Sequence, residues 1–146
     1  SRKQILIYML NEGDLVMSLT GNVGRVAMLN KSDLPAALNQ RVTCIRVEST
    51  NILTRFLFHF FNQDVFERNE MKNSTGAGQK NLSTRWLKYY RIPSPSLEVQ
   101  QEIVDILDKF DALVNDLSIG LPAEINARRK QYEYYRDKLL TFKEAA

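Results

Sequence analysis

One cysteine, one histidine and one tryptophan are all that the 146 residues hold of those three types. A lone Cys44 excludes an internal disulfide and any zinc site built on paired cysteines, and it fits a reducing compartment. A lone His59 removes every two-histidine metal motif. It sits inside FLFHFF (56–61), where an apolar helix would hold it as a core or half-buried residue. Long apolar runs are also missing, since ILIYML (5–10) and FLFHFF are too short to span a bilayer. The opening Ser1-Arg2-Lys3-Gln4 leads into no cleavage-site pattern, so a soluble, cytoplasmic chain away from membranes is expected. Phosphate-binding loops are lacking too. TGNVG (20–24) is followed by neither Gly-Lys-Ser/Thr nor a helix, and GAG (76–78) does not link a strand to a helix. The acids of 98–116 follow helical spacing and suit a solvated face, with no carboxylate pair set apart from that background. No catalytic residue, no metal ligand and no cofactor is assigned to this chain.

What is present is an ordinary globular composition with an uneven charge. Hydrophobic residues make up 44% and charged residues 25% of the chain, which suits one compact domain with an appendage. Residues 1–92 carry 13 Lys/Arg against 7 Asp/Glu, a net +6, whereas residues 93–146 carry 7 against 10, a net −3. The first part favours a polyanionic partner and the second does not. The two prolines of IPSPS (92–96) fall at the same boundary, so the chain divides into residues 1–92 and 93–146.

Before the prolines, β-like runs alternate with Gly/Asn/Asp punctuation. DLVMSL (14–19), RVAML (25–29) and RVTCIRV (41–47) predict three strands of a small curved sheet, with LNKSDLPAAL (29–38) as a loop holding one helical turn. Thr50 or Asn51 is placed to cap a helix through ILTRFLFHFFNQDVF, burying Ile52, Leu53, Phe56, Leu57 and Phe60. WLKYYRI (86–92) reads as a closing strand. The fold class is therefore α+β, a small curved or mixed sheet with a helix, followed by a long helical, coiled-coil spacer.

After the prolines the period becomes helical. Ser94 or Ser96 can cap a helix with Leu97, Ile103, Ile106, Leu107, Phe110, Leu113, Val114 and Leu117 as its apolar positions. Gly120 is placed to stop it, and Pro122 to open the next. In that second helix Ile125, Tyr132 and Leu139 form one heptad seam and Leu121, Tyr135 and Phe142 another, with Arg128 at the rim. A hairpin within the chain or between chains would satisfy this pattern. The two-sided aromatic stripe suits a long exposed coil better than a helix folded back on its own domain.

Between the helix and WLKYYRI lies ERNEMKNSTGAGQKNLS, with hardly an apolar group. Lys72, Ser74, Thr75, Gln79, Lys80, Asn81 and Arg85 supply cations for phosphates and paired donors and acceptors for base edges. Gly76 and Gly78 let such a backbone approach a surface closely. The hairpin residues Thr20, Asn22 and Arg25 offer a second, smaller set. Ser74, Thr75, Gln79, Asn81, Thr20 and Asn22 are the candidates for base or sugar, and Lys72, Lys80, Arg25 and Arg85 for phosphate. A merely solvated loop is the competing account.

GDLVMSLTGNVGRVAML, LNQRVTCIRV, TRFLFHFF, TGAGQKNLSTRWLKYYRIPSPSLEVQQEIVDIL and EINARRKQYEYYRDKLLTF together resemble the specificity subunits of type I restriction–modification systems. The likeness runs from about Gly13 to Phe142, and IPSPSLEVQQEIV and RRKQYEYYRDKLL are its most specific parts. It implies a target recognition domain followed by spacer helices, reading one half of a split site in double-stranded DNA. It implies modification subunits that bind S-adenosylmethionine and methylate adenine as partners, and restriction subunits using ATP and Mg. It also implies a second specificity half, or a second copy, joined through the spacer. About twelve residues precede the GDLVMSLTG segment, fewer than the family usually has, so a fragment or half-subunit is expected. The alternative is a protein-interaction scaffold working through its C-terminal helices without DNA readout.

Overall fold

The computed structural model describes residues 9–63, 84–115 and 122–142. Three short strands, β1 (Leu15–Ser18), β2 (Val26–Met28) and β3 (Val42–Ile45), form an antiparallel sheet in the order β2-β1-β3. Leu15 and Met17 are 0% exposed while Val16 and Ser18 are half-buried, the period of two that puts one strand face on a core. Leu15 pairs with Met28 on one side and Ile45 on the other. The β1–β2 hairpin turns through Gly21 (φ 72°) and Gly24 (φ 79°). A Cβ at Gly21 would meet nothing within 4 Å, so the left-handed backbone angle, not crowding, demands glycine there. The helical turn expected in 29–38 is a 3-10 turn at Lys31–Asp33.

The central helix α1 (Thr54–Phe61) is apolar nearly all round because it is covered on two sides. Leu57, Phe60 and Phe61 join Leu15 and Met17 in the sheet-side core. Phe56 joins Ile103, Val104, Leu107 and Leu140 in a second core, with Leu53, Tyr132 and Leu139 against it. These last residues belong to α3 (Leu97–Asn115) and α4 (Pro122–Leu140), which form an antiparallel hairpin. Phe110 of α3 stacks on Tyr135 at 5.3 Å between centroids and tilts against Tyr132 at 6.4 Å. Pro122 opens α4 as its position predicts. Gly120 and Leu121 lie outside the described residues.

Four expectations are corrected. WLKYYRI is not a strand: Thr84–Lys88 forms a short helix, α2, and the chain then runs without regular structure to Ser96. Trp86, Leu87, Tyr90 and Ile92 still pack on the sheet-side core, so their apolar character is used without pairing to a strand. Neither Thr50 nor Asn51 caps α1, whose N-cap position is Leu53. The second helical segment is not a free coil, because the hairpin folds back onto Phe56. Finally, the residue of α4 buried deepest in that core is Leu140, with Leu139 only partly buried, and Arg136 is buried beside it. Tyr135 and Phe142 keep exposed edges, Phe142 meeting Phe56 edge-on at 6.4 Å. Ile125 is half-buried and Arg128 exposed, as a rim position requires.

Candidate nucleic-acid interface

One end of the sheet gathers three of the expected site residues. The Ser18 N–H donates to the carbonyl of Arg25 at 3.0 Å, and the Gly24 N–H donates to Ser18 O at 2.8 Å. Ser18 Oγ donates to the carbonyl of Asn22 and accepts from the Arg25 N–H at 3.2 Å. The hairpin tip bearing Thr20, Asn22 and Arg25 is thus fastened to the end of β1 by backbone bonds and one serine hydroxyl. On the opposite side of β1 the Leu19 N–H donates to Arg41 O at 2.7 Å, which brings the start of β3 to the same end.

That second strand supplies residues the sequence reasoning passed over. Asn39, Gln40 and Arg41 line an open groove of about 450 Å³, and the Arg41 N–H is held by Asn39 Oδ1 at 2.8 Å. Arg25 and Arg41 are exposed. Amide side chains next to arginine are the types that read base edges and phosphates. The Asn-Gln-Arg run leading into VTCIRV was the available signal. Arg85 stands on a different element, exposed on α2. Lys72, Ser74, Thr75, Gln79, Lys80 and Asn81 lie outside the described residues.

Arg46, just past the end of β3, is committed elsewhere. Its Nε and NH2 donate to the two oxygens of buried Asp14 at 2.9 and 2.5 Å, and Asp14 also accepts the Asn11 N–H at 2.8 Å. The Arg46 hydrogen bond holds the Asp14 carboxyl below the usual carboxylate range, against burial. Burial and the nearby Asp14 charge push the Cys44 thiol up.

A second polar group joins α1 to α3. His59 is fully buried, and its Nε2 lies 2.7 Å from Asp108 Oδ1, which also accepts Arg55 Nε at 2.7 Å. Arg55 reaches Asp111 at 3.2 Å and lies over the Phe58 ring at 4.3 Å. Burial lowers the His59 pKa, so the ring is neutral and its Nε2–H donates; Nδ1 has no partner among the described residues. Burial pushes the Asp108 carboxyl up, but the Arg55 and His59 hydrogen bonds outweigh it and hold the pKa low. Asp108 and Asp111 are therefore not on a merely solvated face, which corrects the expectation for the acids of 98–116. Beside them Gln100, 0% exposed, donates to the carbonyls of Asn51 and Pro95, both at 2.8 Å, and accepts the Leu53 N–H at 2.9 Å. Ser96, not Ser94, caps α3, through a long 3.4 Å bond from the Val99 N–H.

Among the described residues no group of three or more His, Cys, Asp or Glu could hold a metal ion. No described helix is long and apolar enough to cross a membrane. The class of protein is thus an α+β domain with an exposed polar and basic sheet end, welded to a helical hairpin. Residues 4–127 match the family model of the type I restriction modification DNA specificity domain, and the chain belongs to that family. It is 39% identical over 109 residues to the Escherichia coli type I restriction enzyme EcoR124I/EcoR124II specificity subunit, covering 75% of this chain and 27% of that one. It is 36% identical over 144 residues to the Escherichia coli EcoprrI specificity subunit, covering 91% and 34%. A Mycoplasma pneumoniae protein, named for the C-terminus of a type I specificity subunit, is 34% identical over 135 residues, covering 92% and 86%. The chain spans about a third or less of the two Escherichia coli subunits.

Proposed function

We propose that this chain reads one half of a split double-stranded DNA site and positions modification subunits on it, with no chemistry of its own. Residues 1–92 form the recognition part and residues 93–146 the spacer. S-adenosylmethionine, and ATP with Mg where restriction subunits take part, belong to those partners, and the assembly works in the cytoplasm. The observation that carries this reading is the family match itself, which spans residues 4–127, from the sheet through α3 to the start of α4. The sheet end supports it chemically. Asn22, Asn39 and Gln40 are amides suited to base edges, and Arg25 and Arg41 are cations suited to phosphates.

The test is a selection from random duplexes by the complete specificity subunit assembled with its modification subunits. A split motif is expected. Asn22→Ala is expected to relax preference at one base pair by about 1–3 kcal/mol within one half of that motif. A motif unaffected by Asn22, Asn39 and Gln40 substitutions would remove the sheet end from the reading surface.

One observation favours a scaffold role acting beside readout. Val99, Ile106 and Leu113 of α3 are 40%, 41% and 51% exposed and recur every seven residues. Such a stripe has the spacing of a helix-packing seam. A modification subunit or a second specificity half would cover it.

A further inference from the structure

From Met71 to Leu97 the chain holds five Lys/Arg and no Asp or Glu. The described part of this stretch concentrates its cations on one small feature. Arg85 and Lys88 lie on α2 and Arg91 just beyond it; all three are exposed. Arg85 and Arg91 line an open groove of about 490 Å³ together with Trp86, Tyr89 and Tyr90. The floor of the groove is anchored. Trp86 and Tyr90 stand 5.1 Å apart between ring centroids, Tyr90 lies 6.3 Å from Phe60, and both side chains pack on the sheet-side core. Tyr89, by contrast, is 75% exposed, the most exposed of the large hydrophobic side chains among the described residues. A tyrosine that buries little of its ring gains little from the apolar core. Its hydroxyl is a donor on the same groove that Arg85 and Arg91 line.

We infer that this groove is a phosphate clamp on the backbone of duplex DNA, in which Arg85 and Arg91 bracket the strand and the Tyr89 hydroxyl donates to a phosphate oxygen. The inference rests on the reading of the chain as a DNA-recognition domain, and it adds a contact that positions without reading sequence. Arginine suits the role because its planar fork pairs with phosphate oxygens and stays charged. The rigid aromatic floor matters because a clamp held in place loses little side-chain freedom on binding.

The experiment uses the complete specificity subunit with its modification subunits and two fluorescent duplexes, one carrying the selected motif and one of mixed sequence. Binding is followed by anisotropy across a salt series. Arg85→Ala and Arg91→Ala are each expected to flatten the dependence of log affinity on log salt by roughly one unit, equally on both duplexes. Arg85→Lys is expected to retain most of the slope, since the charge remains. Tyr89→Phe is expected to weaken both complexes about fivefold, the loss of one hydrogen bond of ~1 kcal/mol. All three side chains changed are exposed, and unaltered thermal melts would show that the fold is kept. Unchanged salt slopes with the motif still bound would overturn the clamp and leave the recognition reading standing. A loss confined to the motif duplex would overturn it as well, because a phosphate contact cannot distinguish sequences. Failure of the unmodified assembly to bind either duplex would overturn both.

Discussion

Gln100 on α3 supplies, from forty-seven positions away, the acceptor that the start of α1 lacks: its Oε1 takes the N–H of Leu53, the N-cap residue, at 2.9 Å. A helix start leaves its first N–H groups unpaired, and leucine has no side-chain oxygen to satisfy them. The same amide donates both protons, to Asn51 O and Pro95 O, so one fully buried side chain fastens α1 to the entry of the spacer.

Gln100→Ala is therefore expected to destabilise the fold by about 3 kcal/mol, since it strands the half-buried Leu53 N–H and two carbonyls at once. Gln100→Glu is expected to be no better near neutral pH, because a carboxylate can accept from Leu53 but cannot donate to the two carbonyls. Urea midpoints for the two variants and the unsubstituted chain check this. A midpoint that stays put in Gln100→Ala would show that water replaces the amide at no cost.

Much of the sheet was legible in the sequence, and the reasons are local. Leu15 and Met17 alternate with half-buried neighbours, so β1 declares itself by period. FLFHFF is apolar enough to announce a buried helix. What escaped were contacts made at long range. Asp108 and Asp111 look like solvated acids until Arg55, fifty-three positions before Asp108, is seen to meet both. WLKYYRI carries the aromatic and β-branched residues of a strand, but no described strand lies beside it, and its apolar side chains reach the core from a short helix instead. On α4 the stripe is broken by charge, so nothing local showed that Arg136 and Leu140 are buried while Leu139 is only half so. The residues gathered at the candidate sheet end were half legible. The hairpin glycines marked Thr20 to Arg25, whereas Asn39 to Arg41 join it only through strand pairing.

The Asp14–Arg46 pair gives stability a pH dependence whose direction can be worked out. Asp14 has its folded pKa held below the ordinary 3.8, chiefly by the Arg46 hydrogen bond. Its contribution is fully present above that ordinary value and is lost as pH falls through the lower, folded one. Asp14→Asn is expected to lower stability at neutral pH and to flatten the acid limb of the curve. Denaturant midpoints followed downward from about pH 5 measure the limb. An equally steep limb in the variant would assign it to other carboxylates, Asp108 first among them, since its pKa is also lowered.

His59 acts higher on the pH scale. Burial lowers its folded pKa below the ordinary 6.5, so the unfolded chain takes up the proton first and stability falls as pH drops below that value. The loss ends once pH has passed the folded pKa, where both states are protonated. The charges facing the ring are those of Arg55, which opposes protonation, and of Asp108 and Asp111, which favour it. His59→Phe keeps an aromatic ring in the core and is expected to remove this slope while leaving the Arg55–Asp108 pair in place. Stability measured from about pH 7 downward would show a flatter curve than the unsubstituted chain. Parallel curves would mean that the neutral histidine is not what shapes this range.

Ile106 and Leu107 are neighbours on α3 with opposite duties. Leu107 is completely buried against Phe56 and Leu140, whereas Ile106 sits on the exposed stripe with Val99 and Leu113. Truncating Leu107 opens a cavity in the core that joins the hairpin to α1, so Leu107→Ala is expected to cost about 3 kcal/mol of stability. Ile106→Ala removes apolar surface that already meets water and is expected to cost at most about 1 kcal/mol. If the stripe is the seam that a modification subunit or second half covers, Ile106→Ala combined with Leu113→Ala leaves melting nearly unchanged yet weakens assembly at least tenfold. Co-purification and sedimentation of the complex against urea melts of the chain separate the two effects. Loss of stability in step with loss of assembly would place the stripe in the fold itself. Assembly untouched by the double substitution would leave α3's outer face without a partner and return the seam to α4, where Tyr135 still presents an exposed edge beside its stack on Phe110.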